Sequence, residues 1–171
     1  MPNGRPYSNK RHPVERVRRW LKLWYYRILR IDDPPERIAR GAAIGVLMGV
    51  LPTFGVGGFL AVGLAFLLKA NKAAAVLGSF IVNPLTSPFF WTLSAVVGSF
   101  IMGEDSSTVM ARIKHEGVLA STGWVGLVYM TGNVILSAVF TALSYYIVKA
   151  AVIRHRRKKE EKRLRRQNGG G

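Results

Sequence analysis

The chain has 171 residues, with Lys plus Arg at 25 against Asp plus Glu at 9, a formal net charge of +16, and 49% hydrophobic residues. That apolar fraction excludes a basic disordered chain, and the absence of cysteine excludes a disulfide framework, a thiolate metal site and a thiol nucleophile. The charge is segregated: eleven Lys or Arg lie in residues 1–40, ten in 149–171, and four in the 108 residues between.

The basic head comes first. From Pro13 to Ile31 the apolar residues Val14, Val17, Trp20, Leu21, Trp24, Ile28 and Ile31 recur at spacings of mostly three and four. Arg16, Arg18, Arg19, Lys22, Arg27 and Arg30 occupy mostly the other sides. The pattern predicts an amphipathic interfacial helix, with Trp20 and Trp24 in the headgroup layer and Arg18, Arg19 and Lys22 toward anionic lipid. Packing on a protein partner is the alternative. In Asp32-Asp33-Pro34-Pro35-Glu36 the chain restarts: Asp33 suits a helix cap, Pro34 the first helical position, and Glu36 the capping-box distance.

Three uncharged stretches follow, residues 41–68, 73–103 and 117–148, of 28, 31 and 32 residues. A helix needs roughly 20 apolar residues to cross a bilayer core of about 30 Å. A charge at mid-membrane costs about 2.5–3.5 kcal/mol on insertion scales, which accounts for these empty runs. The expectation is an all-α integral membrane helical bundle. A soluble bundle this apolar is the weaker alternative. The 40-residue charged head in front and the length of the first stretch predict no cleaved secretory leader.

The first two stretches are interrupted. Pro52, followed by Gly55, Gly57 and Gly58, breaks residues 41–68; Pro84 and Pro88 break residues 73–103. Proline removes a backbone donor, pushes its predecessor out of the helical region, and glycine then permits a sharp turn. Either each stretch is a kinked span, or each is a proline/glycine-broken hairpin, re-entrant or crossing. At an offset of 32 residues Pro52 aligns with Pro84 and Gly41-Ala42-Ala43-Ile44 with Ala73-Ala74-Ala75-Val76, the mark of a repeat-built membrane site. Thr53, Asn83, Thr86 and Ser87 stand at the breaks. They satisfy freed backbone groups, or they line a polar substrate site where the breaks meet.

Gly41, Gly45 and Gly49 fall on one helix face, a doubled small-xxx-small pattern. Ala74/Gly78 and Ala95/Ser99 offer complementary small faces. A homodimer through the glycine face is the expected assembly. Residues 103–116 read as an external loop. The third stretch carries Gly132-Asn133 near its centre and reads as one long helix, straight or kinked there.

The tail, 154–166, holds nine Lys or Arg in thirteen residues, with disorder expected from Gln167 to Gly171. Without interleaved aromatics it is not expected to bind nucleic acid; anionic membrane lipids are the expected partners. The domain plan is therefore a basic head at 1–33, a membrane domain at 34–150 and a basic cytoplasmic tail at 151–171. Basic segments stay cytoplasmic, which places both termini inside the cell. The preferred path has the first stretch entering and returning, the second crossing outward and the third crossing back. Alternatively the first crosses and the second returns.

From Ile38 through Gly41, Gly45, Gly49 and Pro52, then at Asn71 and Asn83-Pro84-Leu85-Thr86, the chain resembles the bacterial integral membrane family known as domain of unknown function 2062. The resemblance covers roughly residues 30–150. It implies the bacterial cytoplasmic membrane and a helical architecture, without a chemistry. Some members are joined to glycosyltransferase domains, which implies a link to lipid-linked sugars; this chain carries no such domain.

No nucleophile–base pair, paired carboxylates, metal cluster or phosphate-cradling loop can be assembled, so no enzyme, catalytic residue, metal or cofactor is expected. Two functions compete. One is handling or translocation of a polar or lipid-linked substrate through Thr53, Asn83, Thr86 and Ser87. The other is a non-transporting anchor whose basic termini recruit anionic lipid or cytoplasmic partners.

Overall fold

The structure, a computed structural model, describes residues 19, 22–23, 26–53, 55–83, 86–116 and 123–168. Among these it is all-helical. Six helices follow a short helical turn at 26–29: α1 (Pro35–Val50), α2 (Gly57–Leu67), α3 (Lys72–Ser79), α4 (Ser87–Met102), α5 (Ser106–Glu116) and α6 (Trp124–Asn168).

Local chemistry sets the ends. Pro34 is the N-cap of α1, with Pro35 inside its first turn, and no side chain caps it. Asp33 therefore does not act as the expected cap, because its carboxylate is held by Arg37 and Asn71 instead. Leu51, forced to an extended ψ of 143° by the proline after it, stops α1. Asn71 caps α3 by accepting from the Ala74 N–H at 2.7 Å. Gly103, at φ 69°, closes α4 in the left-handed region that glycine tolerates.

The directions of the helices follow from their contacts. α1 and α3 lie parallel: Gly41 sits against Asn71, Gly45 against Ala75 and Gly49 against Ser79. The first stretch is therefore a hairpin whose ends meet, since the Asn71 N–H donates to the Arg37 carbonyl at 3.0 Å. α6 runs antiparallel to α1, from the Val50–Asn133 contact to the Glu36–Lys149 ion pair. α4 is antiparallel to α6, with Ser94 beside Gly132 and Gly98 beside Val128. Hence α4 continues in the direction of α3. The second stretch is broken but is no hairpin, which corrects half of the two-hairpin expectation.

The glycine face offered to a second copy is filled by this chain's own α3. A Cβ on Gly41, Gly45 or Gly78 would collide with main-chain atoms across the crossing, and one on Gly49 would stand 2.7 Å from the Ser79 carbonyl oxygen. Ala74 and Gly78 complete the α1–α3 contact. Ala95 and Ser99 are buried on α4, and Gly98 and Gly132 bring α4 and α6 equally close.

The large side chains point outward. Buried positions are mostly alanine and small residues, while Phe59 is 82% exposed, Phe100 88% and Tyr146 69%. α6 is long and apolar enough to cross a membrane, and its most apolar 18 residues are only 11% buried. The shorter apolar helices are Gly57–Leu67 and Ser87–Met102.

Three further expectations change. Residues 103–116 contain α5 rather than a bare loop: Asp105 accepts from the Ser107 and Thr108 backbone N–H groups, while Val109 and Ile113 pack on Ala95, Val128 and Tyr129. Gln167 and Asn168 are helical, where disorder was expected. At the head, Leu29 is buried with Ile38, Ala42, Ala74 and Val152, so the end of this segment docks on the protein body. Arg19 and Lys22 are exposed; Arg18, Trp20, Trp24 and Pro84 lie outside the described residues.

Candidate functional site

The polar groups of the core gather where α1 ends. A helix end leaves its last carbonyls without intrahelical partners, and α1 ends among apolar neighbours: Val46, Val50 and Phe90, flanked by Ile81, Val82 and Phe140. The Val50 carbonyl is met by Asn133, whose side-chain amide donates to it at 3.1 Å and to the Ser94 hydroxyl at 3.2 Å. Asn133 is 1% exposed and Ser94 0%. Tyr129, one turn away on α6, is also buried beside them. The Asn133 Oδ1 is buried with no hydrogen-bond partner.

The four break residues expected to form the site close their own turns. The Thr53 hydroxyl donates to the Met48 carbonyl at 3.0 Å. Thr86 donates to the Ile81 carbonyl at 2.8 Å and accepts from the Asn83 N–H at 2.9 Å; Asn83 Oδ1 accepts from the Thr86 N–H at 3.2 Å. Ser87 donates to the Asn83 carbonyl at 2.8 Å. Gly55, at φ 90°, supplies the left-handed residue of the first turn, and Pro88 enters the first turn of α4.

The two breaks are neighbours in the fold. Gly49 and Gly58, flanking the first, both face Ser79, just before the second. Among the described residues, no hydrogen bond joins Thr53 to Asn83, Thr86 or Ser87. What ties the first break to the body is Asn133. Its central place on the third stretch was visible in the sequence; its partner, 83 positions away, was not.

Charges sit beyond the apolar segment at both ends. At the basic end Asp33 accepts from Arg37 and from Asn71, both at 3.0 Å. Arg37 also donates to the Lys69 carbonyl at 3.1 Å, and Arg156 donates to the Ile31 and Asp33 carbonyls. These bonds clamp the start of α1, the α2–α3 link and α6 together. The Glu36 carboxyl is held below its ordinary value by its own backbone N–H and by the Lys149 ammonium. At the opposite end the hydroxyls of Ser107 and Thr108, then their N–H groups, lower Asp105 to about 2. Glu104 accepts from the Trp124 indole at 2.6 Å.

The fold and the site together define a small all-helical protein, apolar outside, tightly packed through glycine and alanine within, and basic at one end. Over residues 18–161 the chain matches the family described as "Uncharacterized protein conserved in bacteria (DUF2062)", and it belongs to that family. No curated protein and no solved structure matches it.

Proposed function

We propose that the chain is a multi-pass protein of the bacterial cytoplasmic membrane that binds and moves the polar part of a lipid or lipid-linked molecule at the Asn133–Ser94–Tyr129 cluster. Asn133 carries the reading. An orphaned buried acceptor costs about 1–3 kcal/mol, and polar side chains inside membrane proteins mark functional positions. A hydroxyl or amide of a substrate headgroup is the donor that Oδ1 lacks.

Depth supports this. Asn133 lies nine residues from Trp124 and sixteen from Lys149, so at 1.5 Å per residue it sits about 14 Å and 24 Å from the two polar ends. Outward-facing Phe59, Phe100 and Ile147 suit lipid contact, and contacts through small residues suit helix packing in a bilayer. In this reading α1 and α2 enter and return, α3 and α4 cross outward, and α6 crosses back. The basic end, with both termini, then faces the cytoplasm. Catalysis has no part in it.

The test is reconstitution of the full-length protein into vesicles carrying fluorescent phospholipids, with an impermeant quencher outside. Accelerated exchange between leaflets, lost in Asn133→Leu variants that remain folded, is expected. No exchange across a panel of lipids and lipid-linked sugars would remove the proposal.

One observation favours the anchor reading as a competitor. Beyond the body α6 continues as an exposed helix, and residues 157–168 hold seven Lys or Arg. If that extension is the functional element, deleting 154–171 abolishes function while Asn133→Leu leaves it intact.

A further inference from the structure

A groove of about 250 Å³ runs between α1, the end of α2 and α6. Its α1 wall carries Arg40, Ile44 and Leu47, its far wall Thr141 and Tyr145, and Leu68 closes one side. Arg40 and Leu47 are seven residues apart on one helix face, so the groove is elongated by about 10 Å along the helix axis. That is two thirds of a leaflet's hydrocarbon depth, taking about 15 Å for half the bilayer core.

Its mouth carries uncompensated charge. Arg40 is exposed and, among the described residues, has neither an ion-pair nor a hydrogen-bond partner. Lys149, one turn beyond Tyr145, is matched by Glu36 at 3.3 Å. Two cations thus face one carboxylate, leaving a single positive charge. Deeper in, the Thr141 hydroxyl is buried without a partner. The pairings Glu36–Lys149 and Val50–Asn133 bracket this region, and they place Thr141 about one turn below Arg40.

We propose that this groove seats one anionic glycerophospholipid from the leaflet at the basic end, with its phosphodiester on Arg40 and an acyl chain along Ile44, Leu47 and Leu68. A phosphodiester carries the one negative charge that the mouth lacks, and guanidinium binds it through paired N–H donors. The groove leads from headgroup level toward the break at Val50, so the lipid lies on the approach to the Asn133 cluster. The inference rests on the membrane-embedded reading above and gives it a substrate class.

The experiment titrates the full-length protein, in neutral detergent, with phosphatidylglycerol and with phosphatidylcholine, and counts bound lipid by native mass spectrometry. Phosphatidylglycerol is expected to bind more tightly. Arg40→Gln should weaken it about fivefold, the worth of one basic residue against an anionic lipid surface, and leave phosphatidylcholine unchanged. Arg40→Lys keeps the charge but not the paired donors, and should bind phosphatidylglycerol between the wild type and Arg40→Gln. Leu47→Trp, which fills the apolar wall, should weaken both lipids, and millimolar glycerol phosphate should displace neither.

Equal binding of phosphatidylglycerol to folded Arg40→Gln, no effect of Leu47→Trp, or displacement by glycerol phosphate would each overturn the proposal. Should Arg40→Gln fail to fold, the lipid preference of the wild type and the Leu47→Trp variant decide it. A chain that stays monodisperse without detergent would instead defeat the membrane reading itself.

Discussion

Asn133, in the third turn of α6, donates its side-chain amide to the carbonyl of Val50, the last residue of α1, at 3.1 Å. One side chain thereby satisfies one of the last carbonyls of a helix that ends among apolar residues, while the Met48 carbonyl, which an N–H at position 52 would have met, accepts from the Thr53 hydroxyl. Replacing Asn133 by Leu should lower stability in mild detergent by about 1–3 kcal/mol, because the Val50 carbonyl and Ser94 are both left buried. Ser94→Ala removes one neutral bond and should cost about 1 kcal/mol. Thermal unfolding followed by circular dichroism checks the ordering, which reverses if Asn133 is dispensable.

Gly98 and Gly132 set the distance between α4 and α6. A Cβ on Gly98 would meet the Val128 carbonyl, and backbone cannot move aside as a side-chain tip can. Gly98→Ala should therefore cost about 1–3 kcal/mol. Gly63 on α2 has nothing within 4 Å of its absent Cβ, so Gly63→Ala should be neutral or should gain up to about 1 kcal/mol from helix propensity. Equal melting temperatures for the two variants would contradict the packing described.

The clamp at the basic end makes a local prediction. Asp33→Ala frees Arg37 and Asn71 together. Amide exchange at Asn71, whose N–H donates to Arg37, and at Ala74, capped by Asn71, should quicken while exchange near Asn133 stays slow. The global cost should be about 1 kcal/mol, because Arg37 is 46% exposed and its ion pair is screened by water.

Asp105 gives the pH dependence. Its carboxyl lies at about 2, below the ordinary 3.8. The folded state therefore favours the charged form, and its contribution is complete above the ordinary value. Protection of the Ser107 and Thr108 amides, measured against the intrinsic exchange rate at each pH, should not change from pH 8 to about pH 4, then fall as pH drops toward 2. Asp105→Asn should remove that acid-side transition.

The sequence marks where helices stop better than where they go next. Pro52 and Pro84 show where the first two stretches are interrupted, since proline acts on its immediate neighbours. Whether the chain then returns, as after Val50, or carries on, as after Ser79, is decided by contacts such as Gly41 with Asn71 and Ser94 with Gly132. Those contacts join residues tens of positions apart. The glycine spacing was legible as a packing face, yet its partner is α3 and not a second chain. α5 is hard to see in the sequence because its apolar face is short, Val109, Met110 and Ile113, although Asp105 before Ser106-Ser107-Thr108 is a readable cap signal. Thr53, Asn83, Thr86 and Ser87 stand at the breaks, where they hydrogen-bond the local backbone.

The account depends on a bilayer lying between the two polar ends, with the α2–α3 link on the same side as the tail. The chain contains no cysteine, so single cysteines at the exposed positions Lys72 and Ala111 can be probed in intact cells with an impermeant maleimide. Ala111→Cys should label from outside, and Lys72→Cys only after the cells are opened. Labelling of Lys72→Cys from outside, or of both positions from one side, would contradict it.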